Sequence, residues 1–260
     1  HAQEMIRGIL KGYGRSITPE QQSYLFEQTH SKQPLYLSIA AQELKHGKST
    51  DNTKAYQPKE EGEEEEEGEG QDLAPTQRKV IDEYLKNLTE LYHHHQEMVH
   101  RVTSYLHLSD GLSESELLEI LSTDTDFIKK IAKDTFHTNI NKELPVVIWA
   151  RLHTQLKPFL KLENKDGQET MSFFHREFDS AIAEQRNIQE THKHLISLVF
   201  KLMKKHRGSS YKVNRAENRY GKIYIDIVVK YFDKYKLDVN TKAINILDEA
   251  GEKLSEMHYW

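Results

Sequence analysis

The stretch Trp149-Ala-Arg-Leu-His-Thr-Gln-Leu-Lys-Pro-Phe-Leu160, followed closely by Met171-Ser-Phe-Phe-His-Arg-Glu-Phe178, decides the fold that we expect. The apolar residues of the first segment have helical spacing, and Pro158 ends this helix because proline cannot donate the next backbone hydrogen bond. Two short apolar runs follow, Phe159-Leu-Lys-Leu162 and Thr170-Met-Ser-Phe-Phe174, and the polar segment between them is typical of a hairpin turn. The pattern predicts a helix, a two-stranded wing and a second helix, which is the core of a winged-helix domain.

The remainder of the chain is predicted to be helical. Ser113 and Glu116 form a capping box, which marks a helix start. Apolar residues recur at helical spacing in residues 2–12, 18–28, 33–44, 80–106, 113–121, 127–136, 192–204, 223–236 and 241–257. We therefore expect a mainly α fold: a small helical subdomain, a winged-helix domain with a small β-hairpin wing, and further helices after it.

Composition divides the chain into four expected segments. Residues 1–46 form the helical subdomain, residues 76–200 contain the winged-helix domain, and residues 201–260 form a C-terminal helical segment. Residues 47–75 have almost no apolar side chains and include the acidic run Glu60–Glu69. Such a segment cannot offset its own ordering entropy, so we expect a disordered linker or insertion. The acidic run is either a solvated spacer or a surface for basic partners.

The winged-helix segment resembles the same region of STAND-type signalling NTPases, the NACHT and NB-ARC group. The likeness rests on Trp-x-Arg-Leu at 149–152, Lys-Pro-Phe-Leu at 157–160 and Phe-Phe-His-Arg-x-Phe at 173–178, preceded by Pro-Leu-Tyr-Leu at 34–37. It covers roughly residues 4–200. The pattern is most similar to the branch that includes the telomerase- and vault-associated NACHT protein, nephrocystin-3 and the NACHT-WD-repeat proteins. In that family the first helical subdomain is a lid over the nucleotide.

The resemblance implies a regulatory portion of a nucleotide-dependent switch that senses bound ADP or ATP. It places Pro34 against the adenine, although proline in the first turn of a helix is also common for conformational reasons. It places His175 on a phosphate, and the alternative is a partly buried histidine that caps the following helix. Arg176 stands where many relatives have Asp, so its charge either adds to phosphate attraction or solvates the helix.

The resemblance assigns the rest of the nucleotide site to a Walker domain that this sequence lacks. Gly47-Lys-Ser-Thr50 is not a Walker A loop, because Gln42 stands where the loop needs glycine and a predicted helix precedes it. We expect no catalytic residues and no hydrolysis by this chain alone. The expected partners are ADP or ATP, the remainder of the parent NTPase, and further copies of it, since the family forms homo-oligomers on activation.

Composition excludes cysteine-dependent sites and argues against a membrane-spanning segment. There is no cysteine among the 260 residues, which excludes disulfides, thiolate metal sites and cysteine nucleophiles. No apolar stretch approaches the roughly eighteen residues that span a bilayer, so we expect no membrane partner and a cytoplasmic location. The net charge of -5 comes largely from the acidic run and says little about partners. The chain begins at His1 within a predicted helix, and we interpret it as a piece of a longer protein.

Two features suggest other functions. The histidines His93-His-His95 and His100 predict no metal site, because neighbouring residues on a helix point about 100 degrees apart. Basic residues alternate with tyrosines between Lys201 and Lys222, a pattern typical of nucleic-acid binding. The helix near Val147–Lys157 is mostly apolar, however, which makes a nucleic-acid-binding winged helix the less favoured alternative. A helical scaffold that has lost the switch is a further alternative.

Overall fold

The computed structural model describes residues 2–27, 34–46, 77–134, 143–165, 167–206 and 213–235. Within them it contains eleven α-helices and one two-stranded antiparallel sheet, so the predicted mainly α fold with a small hairpin is confirmed. The helices are α1 (Ala2–Lys11), α2 (Pro19–Glu27), α3 (Pro34–His46), α4 (Gln77–Glu90), α5 (Gln96–Leu108), α6 (Glu114–Thr123), α7 (Thr125–Asp134), α8 (Val146–Leu156), α9 (Arg176–Ala183), α10 (Ile188–His206) and α11 (Val213–Tyr235). The strands are β1 (Leu160–Lys165) and β2 (Gln168–Phe173).

The chain divides into two compact units. The first comprises His1–Val99, Leu152–Phe159 and Phe174–Ala181, and the second comprises His100–Arg151, Leu160–Phe173 and Ile182–Trp260. The four segments that composition indicates stay a prediction. The expected acidic linker of residues 47–75, the Gly47-Lys-Ser-Thr50 segment and the expected helix of residues 241–257 lie outside the described residues.

Three short helices open the first unit, as the sequence predicts. Ile6 and Leu10 are buried on one side of α1. The start of α2 is fixed by a reciprocal cap, in which the Thr18 hydroxyl accepts from the Gln21 amide and the Gln21 side chain accepts from the Thr18 amide. Helix α3 packs against α1 and α4 and buries most of its apolar residues, so that it forms the centre of this group.

The helical region expected from Val80 to Leu106 is two helices, which corrects one expectation. His93, His94 and His95 lie in the connection between α4 and α5, and not on a helix. His93 has a φ of 54 degrees, an uncommon conformation for a residue with a side chain, which stops α4 from continuing. The His95 ring then caps α5, because its Nδ1 accepts from the Glu97 amide at 3.2 Å. Within the described ranges no three potential ligands cluster to hold a metal ion.

The wing is an antiparallel hairpin whose register runs from Leu160 opposite Phe173 to Lys165 opposite Gln168. Helix α8 ends at Leu156, and Lys157–Phe159 form one 3-10 turn before β1. The strands therefore begin and end one to three residues away from the predicted positions. The cause is Pro158, which ends the α-helix but allows a tighter turn that takes up Phe159.

A third chain segment joins the wing. Leu112 forms a one-residue bridge with Met171 of β2, and the two amide-to-carbonyl bonds measure 3.2 and 2.8 Å. Gly111, just before it, has a φ of +95 degrees, and a Cβ at this position would lie 3.2 Å from the Thr170 hydroxyl oxygen. Glycine is needed here for both reasons. The sequence did not predict this bridge, because one paired residue leaves no periodic pattern.

Helices α10 and α11 are the longest described helices, and they pack side by side in the second unit. His192 of α10 is fully buried, and its Nε2 lies 2.7 Å from the Ile227 carbonyl oxygen of α11. None of the helices in the described ranges combines the length and the apolar character that a membrane crossing requires.

Candidate functional site

The junction of the wing and α9 contains His175. The Phe174 amide, one residue past β2, still donates to the Phe159 carbonyl at 2.9 Å. The His175 carbonyl accepts from the Phe178 amide at 3.1 Å, which is a bond of the next helix. His175 is therefore the residue at which strand pairing ends and helical bonding begins. This is the strand-to-helix setting that the sequence predicts.

Three buried rings, Tyr84, Phe159 and Phe178, form an aromatic cluster that supports this junction. The Phe159 and Phe178 rings stack with 4.9 Å between centroids, and Tyr84 meets Phe159 edge-on at 5.0 Å. The Tyr84 hydroxyl also donates to the Gln155 carbonyl at 2.8 Å, so its polar group is satisfied. Because Phe178 lies in the first turn of α9, three residues after His175, the aromatic cluster fixes the orientation of that turn.

The His175 imidazole is half-buried, and burial lowers its pKa below the usual range, with the Glu177 carboxylate opposing the effect only in part. The ring is therefore neutral at physiological pH and has one N–H donor. Its neighbour Phe174 is 63% exposed, and the two rings meet edge-on at 4.6 Å. The junction thus presents a neutral hydrogen-bond donor beside an exposed aromatic surface.

Arg176 is the exposed first residue of α9, where unpaired backbone amides favour anions. The same turn carries Glu177 and Asp179. These carboxylates already interact with the positive end of the helix and reduce its attraction for another anion. A phosphate at this place would need further donors from another part of the protein.

Pro34 is the exposed first residue of α3. The residues that follow it, Leu35, Tyr36 and Leu37, are buried. The Pro-Leu-Tyr-Leu segment therefore anchors the helix through its apolar side chains and leaves the proline ring on the surface, where a flat base can stack. The meeting of Pro34 and His175 at one cleft stays a prediction.

Sequence reasoning missed the Asp124 cluster, which consists of Arg101, Asp124 and His194. The Asp124 carboxylate pairs with the Arg101 guanidinium and lies 2.6 Å from His194 Nε2, while its other oxygen accepts from the Phe127 amide. Burial alone would raise the pKa of Asp124, but the bonds from Phe127, Arg101 and His194 together lower it to about 2. The cluster joins α5, α7 and α10.

Sequence reasoning also missed the charged seam between α6, α10 and α11, which we define as Glu116, Glu119, Lys205, His206, Arg219 and Tyr220. Glu116 is buried and pairs with Arg219 through both oxygens, in addition to its part in the confirmed capping box with Ser113. Glu119 accepts from Tyr220, Lys205 and His206 at 2.6, 3.0 and 2.8 Å. Burial and the Glu119 carboxylate raise the pKa of the Tyr220 hydroxyl.

Both charged groups are structural ion-pair networks, because each carboxylate is matched by cations of the same chain. The only sequence signals were local ones: the capping box at Glu116, and Asp124 directly before a helix. The partners lie between 23 and 103 residues away in sequence, where no spacing rule applies.

Comparisons of the chain with protein-family models, with curated proteins and with solved structures give no match. The resemblance to STAND-type NTPases therefore rests on the quoted motifs, and the function that it implies is a proposal.

Proposed function

We propose that this chain is the regulatory lid and winged-helix portion of a STAND-type nucleotide-dependent switch. The observation that carries the proposal is the setting of His175. A residue that reports on a phosphate must be held firmly and must keep an accessible donor. His175 meets both needs. The aromatic cluster holds its helical turn, and its half-buried neutral ring has one N–H group that can donate a hydrogen bond at the surface.

In the proposed switch, ADP or ATP is held mainly by the Walker domain of the parent protein. Pro34 packs on the adenine, His175 donates a hydrogen bond to a phosphate oxygen, and Arg176 adds positive charge. The carboxylates in the first turn of α9 keep the local potential from being strongly positive. His175 therefore supplies a directional contact and only a minor share of the binding energy.

The size of that contact limits what the switch can do. A hydrogen bond to a charged group contributes about 1.5–3 kcal/mol, which corresponds to a shift of roughly 10- to 150-fold between closed and open states. Nucleotide exchange that breaks the bond releases the wing only if the two states already differ by less than this. Release then exposes the face on which copies of the parent protein assemble into a homo-oligomer.

The alternative of a nucleic-acid-binding winged helix has less support. Val146 and Val147, at the start of α8, are 60% and 54% exposed, so the helix that would enter a groove presents apolar side chains at this end. Two cations of the basic stretch are already paired, Lys205 with Glu119 and Arg219 with Glu116. Binding of duplex DNA by this chain, with a steep dependence on salt, would favour that alternative.

The test is His175→Leu in the full-length protein, with retained nucleotide and assembly state as readouts. We expect ADP affinity to fall by roughly 10- to 150-fold, since the bond to phosphate is lost, and assembly to begin without the activating signal. The matched control is His93→Asn, which changes an exposed histidine in the α4–α5 connection and keeps a residue that tolerates positive φ.

Unchanged nucleotide retention and assembly in the His175→Leu protein would remove the sensing role. A parent protein with no phosphate-binding loop before His1 would instead favour the scaffold that has lost the switch. Arg176→Gln separates the remaining possibilities, since a phosphate contact predicts a salt-dependent loss of affinity and a purely solvating side chain predicts none.

A further inference from the structure

Strand β1 is an open edge of the wing. In the described part of the chain its only strand neighbour is β2, whose other side is taken by Leu112. Met171 uses its amide and its carbonyl for the bridge to Leu112, so both groups point away from its β1 partner Leu162. Because such residues alternate with hydrogen-bonded ones in an antiparallel pair, the amide and carbonyl of Leu162 point away from β2. The same alternation turns the backbone groups of Leu160 and Asn164 toward the open edge.

The side chains along this edge are suited to pairing with another strand. Leu162 is 48% exposed, although Met171 beside it on the same face of the hairpin is buried. On the other face, the Lys161 ammonium and the Glu163 carboxylate form an ion pair at the surface. The edge therefore combines outward backbone groups, an exposed leucine and two opposite charges. An edge strand of this kind is a template for another extended chain.

We propose that β1 pairs antiparallel with β1 of a second copy of this chain, with Leu162 of the two copies on the two-fold axis. The two hairpins then form one continuous sheet. Leu160 of each copy lies opposite Asn164 of the other, and the outward amides and carbonyls form about six hydrogen bonds between the copies. The two Leu162 side chains, about 5 Å apart at their Cβ atoms, cover each other.

The charges on the edge select this register. With Leu162 on the axis, Lys161 of each copy lies opposite Glu163 of the other, which gives two complementary pairs. A slip by two residues places Lys161 opposite Lys161 in one direction and Glu163 opposite Glu163 in the other, and like charges directly opposite destabilise a strand pair. A slip by a single residue turns the hydrogen-bonding groups of the two strands out of alignment.

This self-complementarity favours a second copy over an unrelated extended peptide, because a two-fold contact requires one surface that matches itself. The edge is short, so the contact buries less than the roughly 1,200 Å² of a stable interface. We therefore expect a reversible dimer with a Kd on the order of 0.1 mM. Added salt should weaken it, since the charged pairs lie at the surface. The proposal is independent of the nucleotide switch.

The first test exchanges the two charges. Lys161→Glu alone and Glu163→Lys alone each place like charges opposite, so we expect the association constant of each variant to fall by roughly tenfold. An equimolar mixture of the two variants has opposite charges at both facing positions of the mixed dimer, and we expect its association to return to that of the unmodified chain. Sedimentation equilibrium between about 0.01 and about 1 mM measures all three.

The matched control for charge is Glu169→Lys. Glu169 is an exposed residue of β2, on the same hairpin but not on the open edge. This variant has the same change in net charge as Glu163→Lys, and we expect it to associate as the unmodified chain does. Circular dichroism checks that all the variants keep the helical content of the unmodified chain.

The absence of cysteine from the chain allows a separate test of the register. Leu162→Cys places two thiols on the axis, where facing Cα atoms are about 5.5 Å apart, within the range of a disulfide. We expect mild oxidation to form a disulfide between two molecules. The matched control is Asn164→Cys, on the same face of the same strand, whose two copies are offset by about 13 Å along the strands. We expect its cross-linking to be roughly tenfold slower.

The outcomes separate this dimer from its alternatives. An unmodified chain that stays monomeric at about 1 mM would overturn the proposal. Mixed charge variants that do not associate would show that Lys161 and Glu163 do not face each other across the contact, and would overturn it as well. Equal cross-linking of the two cysteine variants would show that any dimer forms through another surface.

Discussion

The aromatic cluster and the charged seam both join helices that are far apart in sequence, and they do so by opposite means. In the aromatic cluster, Tyr84, Phe159 and Phe178 gain stability from buried apolar area and ring packing, which depends little on pH or salt. In the charged seam, Glu116 is removed from water and Glu119 partly so, and the cost of this burial must be recovered from their cations. This difference means that the helical turn of His175 is held by the aromatic cluster, which is less sensitive to pH and salt than the charged seam.

The largest effect should come from breaking the aromatic cluster. Phe178→Ala removes a fully buried ring that contacts two others, and we expect it to lower the free energy of unfolding by about 3–5 kcal/mol. Phe174→Ala, at the exposed ring of the same junction, is the control and should change it by less than about 0.5 kcal/mol. Urea unfolding of both variants measures the difference. Similar losses for the two would mean that the aromatic cluster does not support the junction.

The charged seam should respond less strongly and in a different way. Glu116→Gln keeps an acceptor for the Ser113 amide but leaves the Arg219 charge unmatched. We expect a loss of about 2–3 kcal/mol, below the upper range for buried pairs, because Arg219 is partly in contact with water. Adding Arg219→Met should restore part of the stability, since an uncompensated charge is then removed. If the double variant loses more free energy of unfolding than the two single variants together, the assignment of Glu116 and Arg219 as a pair is wrong.

A third test concerns the segment Gly111–Leu112, which is joined to the wing by backbone hydrogen bonds and not by aromatic rings or charges. Gly111→Ala forces a side chain into a backbone conformation with positive φ and against the Thr170 hydroxyl, so we expect a loss of about 1–2 kcal/mol. Gly8→Ala in α1 is the opposite control, since its Cβ would meet nothing within 4 Å, and it should stabilise the chain by about 0.5–1 kcal/mol. Thermal unfolding of the two variants measures both changes in stability. Equal effects would show that the positive φ and the close contact with Thr170 at Gly111 do not constrain this position.

Local chemistry made much of the fold predictable from the sequence. Pro158 ends α8, Ser113 and Glu116 form their capping box, and Thr18 starts α2, all through interactions within four residues. The sequence placed His175 at the strand-to-helix junction for the same reason. The mainly helical fold and its hairpin follow from signals of this kind.

The remaining features could not be predicted because their causes are not local. Asp124 and His194 meet across 70 residues, and the Leu112 bridge involves a single pair. The break at His93 depends on one backbone angle that a polar, helix-compatible sequence does not reveal. Nonlocal charge pairs and single-residue backbone choices are the features that a periodic pattern cannot encode.

The last test concerns a buried histidine that belongs to neither of the compared groups, and its effect appears only as the pH falls. His192 is fully buried, its Nε2 donates to the Ile227 carbonyl, and its Nδ1 has no hydrogen-bond partner among the described residues. Burial lowers the pKa of His192 to about 4, with the nearby charges of Lys234, His107 and Lys230 acting in the same direction. Between about pH 6.5 and about pH 4, His192 is therefore neutral in the folded chain and protonated in the unfolded chain.

This difference in protonation makes the free energy of unfolding depend on pH in a defined window. Above about pH 6.5 both states are neutral at His192, and as pH falls from there to about 4 only the unfolded state gains a proton, so stability decreases by at most about 1.4 kcal/mol per pH unit. His192→Leu should abolish this part of the decrease, and His93→Asn should not. The Asp124 contribution is separate, because it is lost only as pH falls below about 3.8 toward about 2. Urea unfolding of the parent chain and of both variants between about pH 7 and about pH 5 separates the His192 contribution from the Asp124 contribution, and an unchanged slope in His192→Leu would contradict the assignment to His192.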